Sequence, residues 1–289
     1  MENIRIKRTG DKRTMELREK NGVYYLVFPE IEKLGIVDHL FSTRLGGVSK
    51  GCFESMNLSY TRGDDKEAVD ENYCRISEIM GHGHNRKDFV STFQTHTTNV
   101  RVITEEDRGK GPFTDRDYTD VDGLITNVPG IILSTFHADC PPVYIVDPVK
   151  KAIGLVHSGW KGTKGEIAAN AIGLMHENYG SNPSDLVCAV GPSICGQCYE
   201  IGMDVAEQFF DSFSEEEIDK YNLLVAYPKE KFRLYLWNVI KLTLLKSGVK
   251  EENILITDVC TRCNPDLLFS HRIHHEKRGN LAAFLALKS

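Results

Sequence analysis

Apolar positions along this chain recur with two different periods. Runs rich in β-branched and aromatic side chains, bounded by Gly, Pro, Asn or Asp, predict strands over residues 22–28, 39–44, 88–96, 100–104, 123–126, 130–147, 152–157, 186–191 and 253–260. Apolar positions three and four apart predict helices over 66–80, 164–179, 204–213, 231–245 and 281–287. Strands cluster early, then alternate with helices through the middle of the chain. That order predicts an α/β or α+β protein with a substantial mixed sheet. With no internal repeat and no Pro/Gly/Ser linker, one domain is expected over 1–289, strands within 1–40 packing on a core of 41–289. The polar stretch 105–120 is long enough to be a lid.

Composition narrows the class. With 289 residues, 41% hydrophobic and 26% charged, the chain can bury a full core, which excludes disorder and fibrous repeats. A formal charge of −6 excludes a sequence-indifferent nucleic-acid binder, which needs a basic excess to displace counterions, and favours small-molecule partners. The N-terminal segment is charged, and no run approaches the ~20 apolar residues of a membrane span. A cytoplasmic location is expected, with the eight cysteines reduced.

Three soft donors fall where strands should end: His96 in Gln94-Thr95-His96, Cys140 in Ala138-Asp139-Cys140-Pro141-Pro142, and His157 in His157-Ser158-Gly159-Trp160. Two imidazoles and a thiolate suit Zn²⁺ and leave its fourth position open. No short spacing ties the three together, and each would serve equally as a satisfied core residue. His137, three residues before Cys140, competes for the same role. Gly159, Lys161 and Thr163 lie on a glycine-rich run from strand into helix, which suits either an anion cradle or a tight turn. Arg44, beside Gly46 and Gly47, is a candidate oxyanion clamp or an ordinary surface arginine. Asn57, Gln94, Asp122 and Asp139 are polar groups at strand ends that would orient a ligand or cap a turn.

Other patterns carry less. The pairs Cys195/Cys198 and Cys260/Cys263 lie much further apart than the ~15–20 residues of a zinc ribbon, so packed free thiols are expected. The order of motifs in a cytosine deaminase is absent, and Gly191-Pro192-Ser193-Ile194-Cys195 lacks the last glycine of a nucleophile elbow. Paired imidazoles are too few for a four-copper oxidase.

The combination is more specific than its members. Phe41-Ser42-Thr43-Arg44-Leu45-Gly46-Gly47-Val48-Ser49, Met56-Asn57-Leu58, Gln94-Thr95-His96, Asp122-Gly123-Leu124-Ile125-Thr126, Ala138-Asp139-Cys140-Pro141-Pro142 and His157-Ser158-Gly159-Trp160-Lys161-Gly162-Thr163 occur in that order. Gly191-Pro192-Ser193-Ile194, Cys198-Tyr199-Glu200, Asn264-Pro265-Asp266-Leu267-Leu268-Phe269-Ser270-His271-Arg272 and Gly279-Asn280-Leu281-Ala282-Ala283 follow. From Phe41 to Ala283 the chain closely resembles the bacterial YfiH/YlmD family, relatives of the animal protein FAMIN. The family was long labelled polyphenol oxidase or laccase and is now regarded as purine nucleoside enzymes.

The resemblance implies an α+β fold: a single domain of four layers, an α/β/β/α sandwich with mixed sheets, like the catalytic domain of cytotoxic necrotizing factor. It implies zinc on His96, Cys140 and His157, with copper as an alternative metal. It implies phosphorolysis of adenosine, inosine and 5′-methylthioadenosine, with adenosine deamination as a second activity. On that basis Arg44 and the turn bearing Gly159, Lys161 and Thr163 are the phosphate candidates, while Asn57, Gln94 and Asp122 would orient nucleoside or ligands. Ile273 and Asn280 stand where many relatives have arginine. The rival expectations are a copper-dependent polyphenol oxidase, a metal-free cysteine hydrolase using Cys140 with His157, and a non-catalytic module braced by zinc.

Overall fold

Alternating burial of branched and aromatic side chains draws most of the strands into two six-stranded mixed sheets. The computed structural model describes residues 4–288. The first sheet runs β1 (Glu16–Lys20), β2 (Val23–Val27), β3 (Val37–Ser42), β15 (Leu281–Leu287), β7 (Ile132–His137), β4 (Phe89–Ser91). The second runs β14 (Ile254–Ile256), β10 (Val187–Val190), β8 (Pro142–Asp147), β9 (Ala152–His157), β6 (Gly123–Thr126), β5 (Val100–Val102). A small third sheet joins β11 (Glu200–Ile201), β13 (Lys231–Leu234) and β12 (Leu224–Tyr227). The helices are α1 (Pro29–Glu32), α2 (Lys66–Met80), α3 (Trp160–Lys164), α4 (Ile167–Tyr179), α5 (Met203–Phe210), α6 (Glu215–Tyr221), α7 (Leu236–Lys246) and α8 (His271–His274).

The layers follow from which face each element buries. Phe41, Leu133 and Leu285 of the first sheet meet Tyr144, Ile153 and Leu155 of the second in a shared core. On the outer face of the first sheet, Val69, Tyr73 and Ile76 of α2 pack on Leu40, Phe89 and Phe284. On the outer face of the second, Ala171 and Met175 of α4 and Ile240 and Leu244 of α7 cover Val143, Ile145 and Val156. This is the four-layer α/β/β/α order that the resemblance implies. The helix over 66–80 matches its prediction because both ends are marked: the Asp65 carboxylate accepts from Glu67 N–H, and Gly81 ends the helix at φ 76°.

Four expectations are corrected. Residues 281–287 form a strand, β15, at the centre of the first sheet, with Ala283 opposite both Phe41 and Thr135. All seven of its residues are buried, and a run with no polar position has no period by which to tell strand from helix. The long strand over 130–147 is two, because the chain leaves the first sheet after His137 and enters the second at Pro142. Residues 231–234 are strand, and the helix begins only at Leu236. The stretch 105–120 is a fastened rim instead of a lid. Lys110 pairs with Asp107 and Asp117, Arg116 donates to Thr92 O at 2.7 Å, and Tyr118 to Ser91 O at 2.7 Å.

Candidate active site

Strand direction gathers the candidate residues at one end of the second sheet. β9 stops at His157, directly opposite Pro142 at the start of β8, while β6 and β5 begin beside it in parallel register. Residues just outside these ends therefore meet: His96 before β5, Asp122 before β6, Cys140 in the turn between the sheets, and His157 itself. The donor atoms of His96, Cys140 and His157 lie within 4.8 Å of one another.

Asp122 holds this group together. Its carboxylate is buried and accepts the N–H groups of Thr95 (2.9 Å), His96 (3.1 Å) and Thr97 (3.1 Å), which fixes the loop that presents His96 at φ 64°. The same carboxylate meets His157 Nδ1 at 2.7 Å, and the Asp122 carbonyl accepts His157 N–H at 2.7 Å. With Nδ1 so engaged, His157 is left with Nε2 for Cys140 or a metal. Gly159 is required by proximity: a Cβ there would lie 2.9 Å from His96 Cδ2 and 3.2 Å from Cys140 Sγ.

Electrostatics suit a metal-binding thiolate. Burial alone would raise the Cys140 thiol, but the charge and hydrogen bonds of His157 and His96 outweigh it and bring it down to about 6. Burial alone would lower His157, but Cys140 and Asp122 raise it to about 9. Burial likewise opposes ionisation of Asp122, and the His157 hydrogen bond and charge, with the backbone amides, hold it below the ordinary carboxylate range. Two imidazoles and a thiolate that converge with a shared orienting carboxylate fit a Zn²⁺-type ion with one position open. His137 takes no part: its ring nitrogens lie 2.9 Å from the Cys140 carbonyl and 2.7 Å from Thr135 Oγ1.

The three donors line a cavity of about 780 Å³. Gln94 and Asp139 also line it, although Gln94 is tied to the backbone of Phe136 and Asp139 accepts from Thr261 Oγ1 (2.6 Å) and Arg272 N–H (2.7 Å). The other sequence candidates lie outside its walls. Arg44 stacks on Phe269 and donates to Glu54 O and Pro265 O, which fastens the Gly46-Gly47 turn to the C-terminal loop. Asn57 is buried, bonded to Ser59, Asp64 and Asn280. Thr163 bonds back to Ser158, and Lys161 is exposed over Trp160.

The cavity also contains groups that sequence reasoning missed. Arg62, Arg116, Arg272 and Arg278 line it, and so do the aromatic rings of Tyr60, Phe93, Phe136, Trp160 and Tyr199. Arg272 falls inside a quoted motif, but nothing in the spacing links it to Arg62 or Arg116. Beside this cavity the sulfurs of Cys195, Cys198, Cys260 and Cys263 also converge within 4.8 Å. Among the described residues no helix is long and apolar enough to cross a membrane.

A family model described as Multi-copper polyphenol oxidoreductase laccase matches residues 38–288. Purine nucleoside phosphorylase YlmD of Bacillus subtilis (strain 168) is 33% identical over 252 residues, 86% of this chain and 87% of its own. The purine nucleoside phosphorylase of Bacteroides thetaiotaomicron is 28% identical over 258 residues, 89% of this chain and 93% of its own. The crystal structure of YlmD from Geobacillus stearothermophilus superimposes with a TM-score of 0.87 at 30% identity, covering 96% of this chain and 100% of that one. Bacillus licheniformis YfiH gives 0.86 at 30% identity, covering 94% and 99%. The chain belongs to this family, whose model carries the laccase description and whose members include the YlmD and YfiH proteins.

Proposed function

We propose that this protein is a zinc-dependent purine nucleoside phosphorylase. It acts on adenosine, inosine and 5′-methylthioadenosine, releases free base and ribose or methylthioribose 1-phosphate, and deaminates adenosine as a second activity. The observation that carries this reading is one cavity lined by both the His96/Cys140/His157 donor set and four guanidinium groups. The names of the YlmD relatives support the reaction class.

The chemistry needs an anion site, a flat apolar surface for the base and a place for negative charge to develop on the departing purine. Arg62 Nε and Arg278 Nε are buried without a partner. Burial and the neighbouring charge of Arg62 both weigh against the Arg278 cation. Two crowded guanidinium groups with unused donors are suited to phosphate, which accepts paired N–H bonds. We therefore assign phosphate to Arg62 and Arg278 in place of Arg44 and the Gly159 turn. Phe93, 39% exposed under the Arg116 guanidinium, is a stacking surface for the purine.

In phosphorolysis a phosphate oxygen forms a bond to C1′ as the C1′–N9 bond breaks; the bonding pair leaves with the purine, which takes up a proton. The arginines hold phosphate against the sugar while positive charge develops at C1′. Zinc held by His96, Cys140 and His157 would supply Lewis-acid stabilisation of the negative charge that develops on the departing purine. Asp122 orients the His157 imidazole and holds the backbone of the loop that presents His96. Deamination needs a water directed at C6 of the purine, and the same cavity would serve it. We place the protein in the cytoplasm, with small molecules as its partners.

The test incubates metal-quantified protein with each nucleoside, with and without phosphate, and resolves the products by chromatography. Base release that requires phosphate, lost in His96→Ala and Cys140→Ala, supports the reading. Oxidation of phenols without base release would turn it to the copper oxidase. Activity kept by metal-free wild type and lost in Cys140→Ser would turn it to the cysteine hydrolase.

A further inference from the structure

We propose that Cys195, Cys198, Cys260 and Cys263 form a second, structural metal site that takes a Zn²⁺-type ion in a closed tetrahedron of four thiolates. Their four sulfurs lie within 4.8 Å of one another. None is in a disulfide, and the Cys198 and Cys263 sulfurs are 3.4 Å apart. A tetrahedron with Zn–S bonds of about 2.3 Å separates its sulfurs by about 3.8 Å, whereas a disulfide requires about 2.05 Å. Around an ion the Cys198–Cys263 pair, at 3.4 Å, has to widen slightly, and the widest pair, within 4.8 Å, has to close by up to about 1 Å.

Topology explains why pairs so distant in sequence meet. β10 and β14 are adjacent parallel strands, and each Cys-x-x-Cys segment follows the C-terminal end of one of them. A bridge between Ser193 and Cys260 continues their pairing into the two loops. In the first loop Cys198 N–H and Tyr199 N–H donate to Cys195 O at 2.9 and 3.0 Å, a tight turn that brings both thiols to one side. In the second, Asn264 Nδ2 donates to Cys260 O at 2.8 Å. Cys195 and Cys260 are buried, while Cys198 and Cys263 are half-buried, leaving a route for an ion to enter.

Two donors face the sulfurs. Cys195 N–H approaches the Cys260 sulfur at 3.3 Å, and an Arg262 Nη1 lies 3.5 Å from the Cys198 sulfur. Four thiolates on a divalent ion carry two net negative charges, which a backbone N–H and a guanidinium offset. With every ligand position filled by protein, this ion has no place for substrate, so its role is to brace. What it braces is one wall of the cavity: Ile194 and Tyr199 line it, Ile194 N–H donates to Asp139 O at 2.9 Å, and Thr261 Oγ1 holds the Asp139 carboxylate.

This site stands independently of the nucleoside reading, and its test bypasses activity. Protein carrying His96→Ala and Cys140→Ala, grown with zinc and desalted, should retain about one zinc per chain, bound in an X-ray absorption shell of four sulfurs at about 2.3 Å. Wild type should hold twice that amount. Adding Cys198→Ser and Cys263→Ser should bring the retained zinc to zero. Should the serine variants fail to fold, a mercurial titrated into the His96→Ala/Cys140→Ala protein reads the same question. Zinc should leave in step with modification of Cys198 and Cys263, mapped by peptide mass. A double variant without zinc, a shell containing nitrogen or oxygen, or zinc that remains after all four thiols are modified overturns the proposal.

Discussion

One carboxylate holds both the His157 ring and the backbone of the loop that presents His96. Asp122 accepts three backbone N–H groups and His157 Nδ1, so Asp122→Asn sets an NH₂ group against donors that have nowhere else to turn. Losing an orienting partner of a ligand costs ~10–100-fold in metal affinity. A chromogenic-chelator competition should show that loss, and unchanged affinity would assign the orienting role elsewhere. The pH dependence has a definite sign. Because the folded-state pKa of Asp122 is depressed, its stabilising contribution is full above about pH 5 and lost as pH falls through the depressed value. In metal-free protein the urea midpoints of wild type and Asp122→Asn should therefore converge on acidification. A constant gap would mean that the group acts through packing alone. At this scale the motifs made His96, Cys140 and His157 legible, and with them Asp122, but the spacing could not separate ligand from supporter. Arg44 illustrates the limit: its position beside two glycines is also what a turn fastened to Phe269 requires.

Elements were legible where their two faces differ. α2 has an apolar and a polar face and marked ends, and both its type and its limits follow from the pattern. β15 is covered on both faces, so Leu-Ala-Ala-Phe-Leu-Ala-Leu carries composition without period. Its alternate residues nevertheless serve different layers: Leu285 enters the core between the sheets, and Phe284 meets α2. Leu285→Ala should therefore destabilise the protein by about 2–5 kcal/mol, the range for a buried leucine that leaves a cavity. Chemical denaturation measures it, and a cost under about 1 kcal/mol would mean the site collapses around the smaller side chain. The Cys-x-x-Cys pairs fail the zinc-ribbon spacing for a related reason. Sequence distance measures loop length, whereas their meeting is set by the parallel pairing of β10 with β14.

At the scale of the molecule, the chain crosses from one sheet to the other in the turn that carries Cys140, and chain segments from distant parts of the sequence complete the cavity. Arg62 follows β3, Arg116 comes from the rim and Arg278 precedes β15, so no local pattern announces them together. If Arg62 and Arg278 hold phosphate, changing either to glutamine should raise KM for phosphate by ~10–100-fold, the worth of a hydrogen bond to a charged group. Steady-state kinetics should show KM for inosine little changed; an equal rise in both would place the arginines on the nucleoside. If both donor sets hold zinc as proposed, the molecule has a second, ordered response. His96 is exposed and its site keeps an open position, while the four-cysteine site is closed and half of it is buried. A chelator added gradually should therefore remove one equivalent of zinc first, abolishing phosphorolysis while the thermal midpoint barely moves. The second equivalent should leave later and take the fold with it, because its loops form the cavity wall and join β10 to β14. Melting with the first equivalent would instead make the histidine site a structural brace. Simultaneous release of both would show that the wall and the site open as one unit.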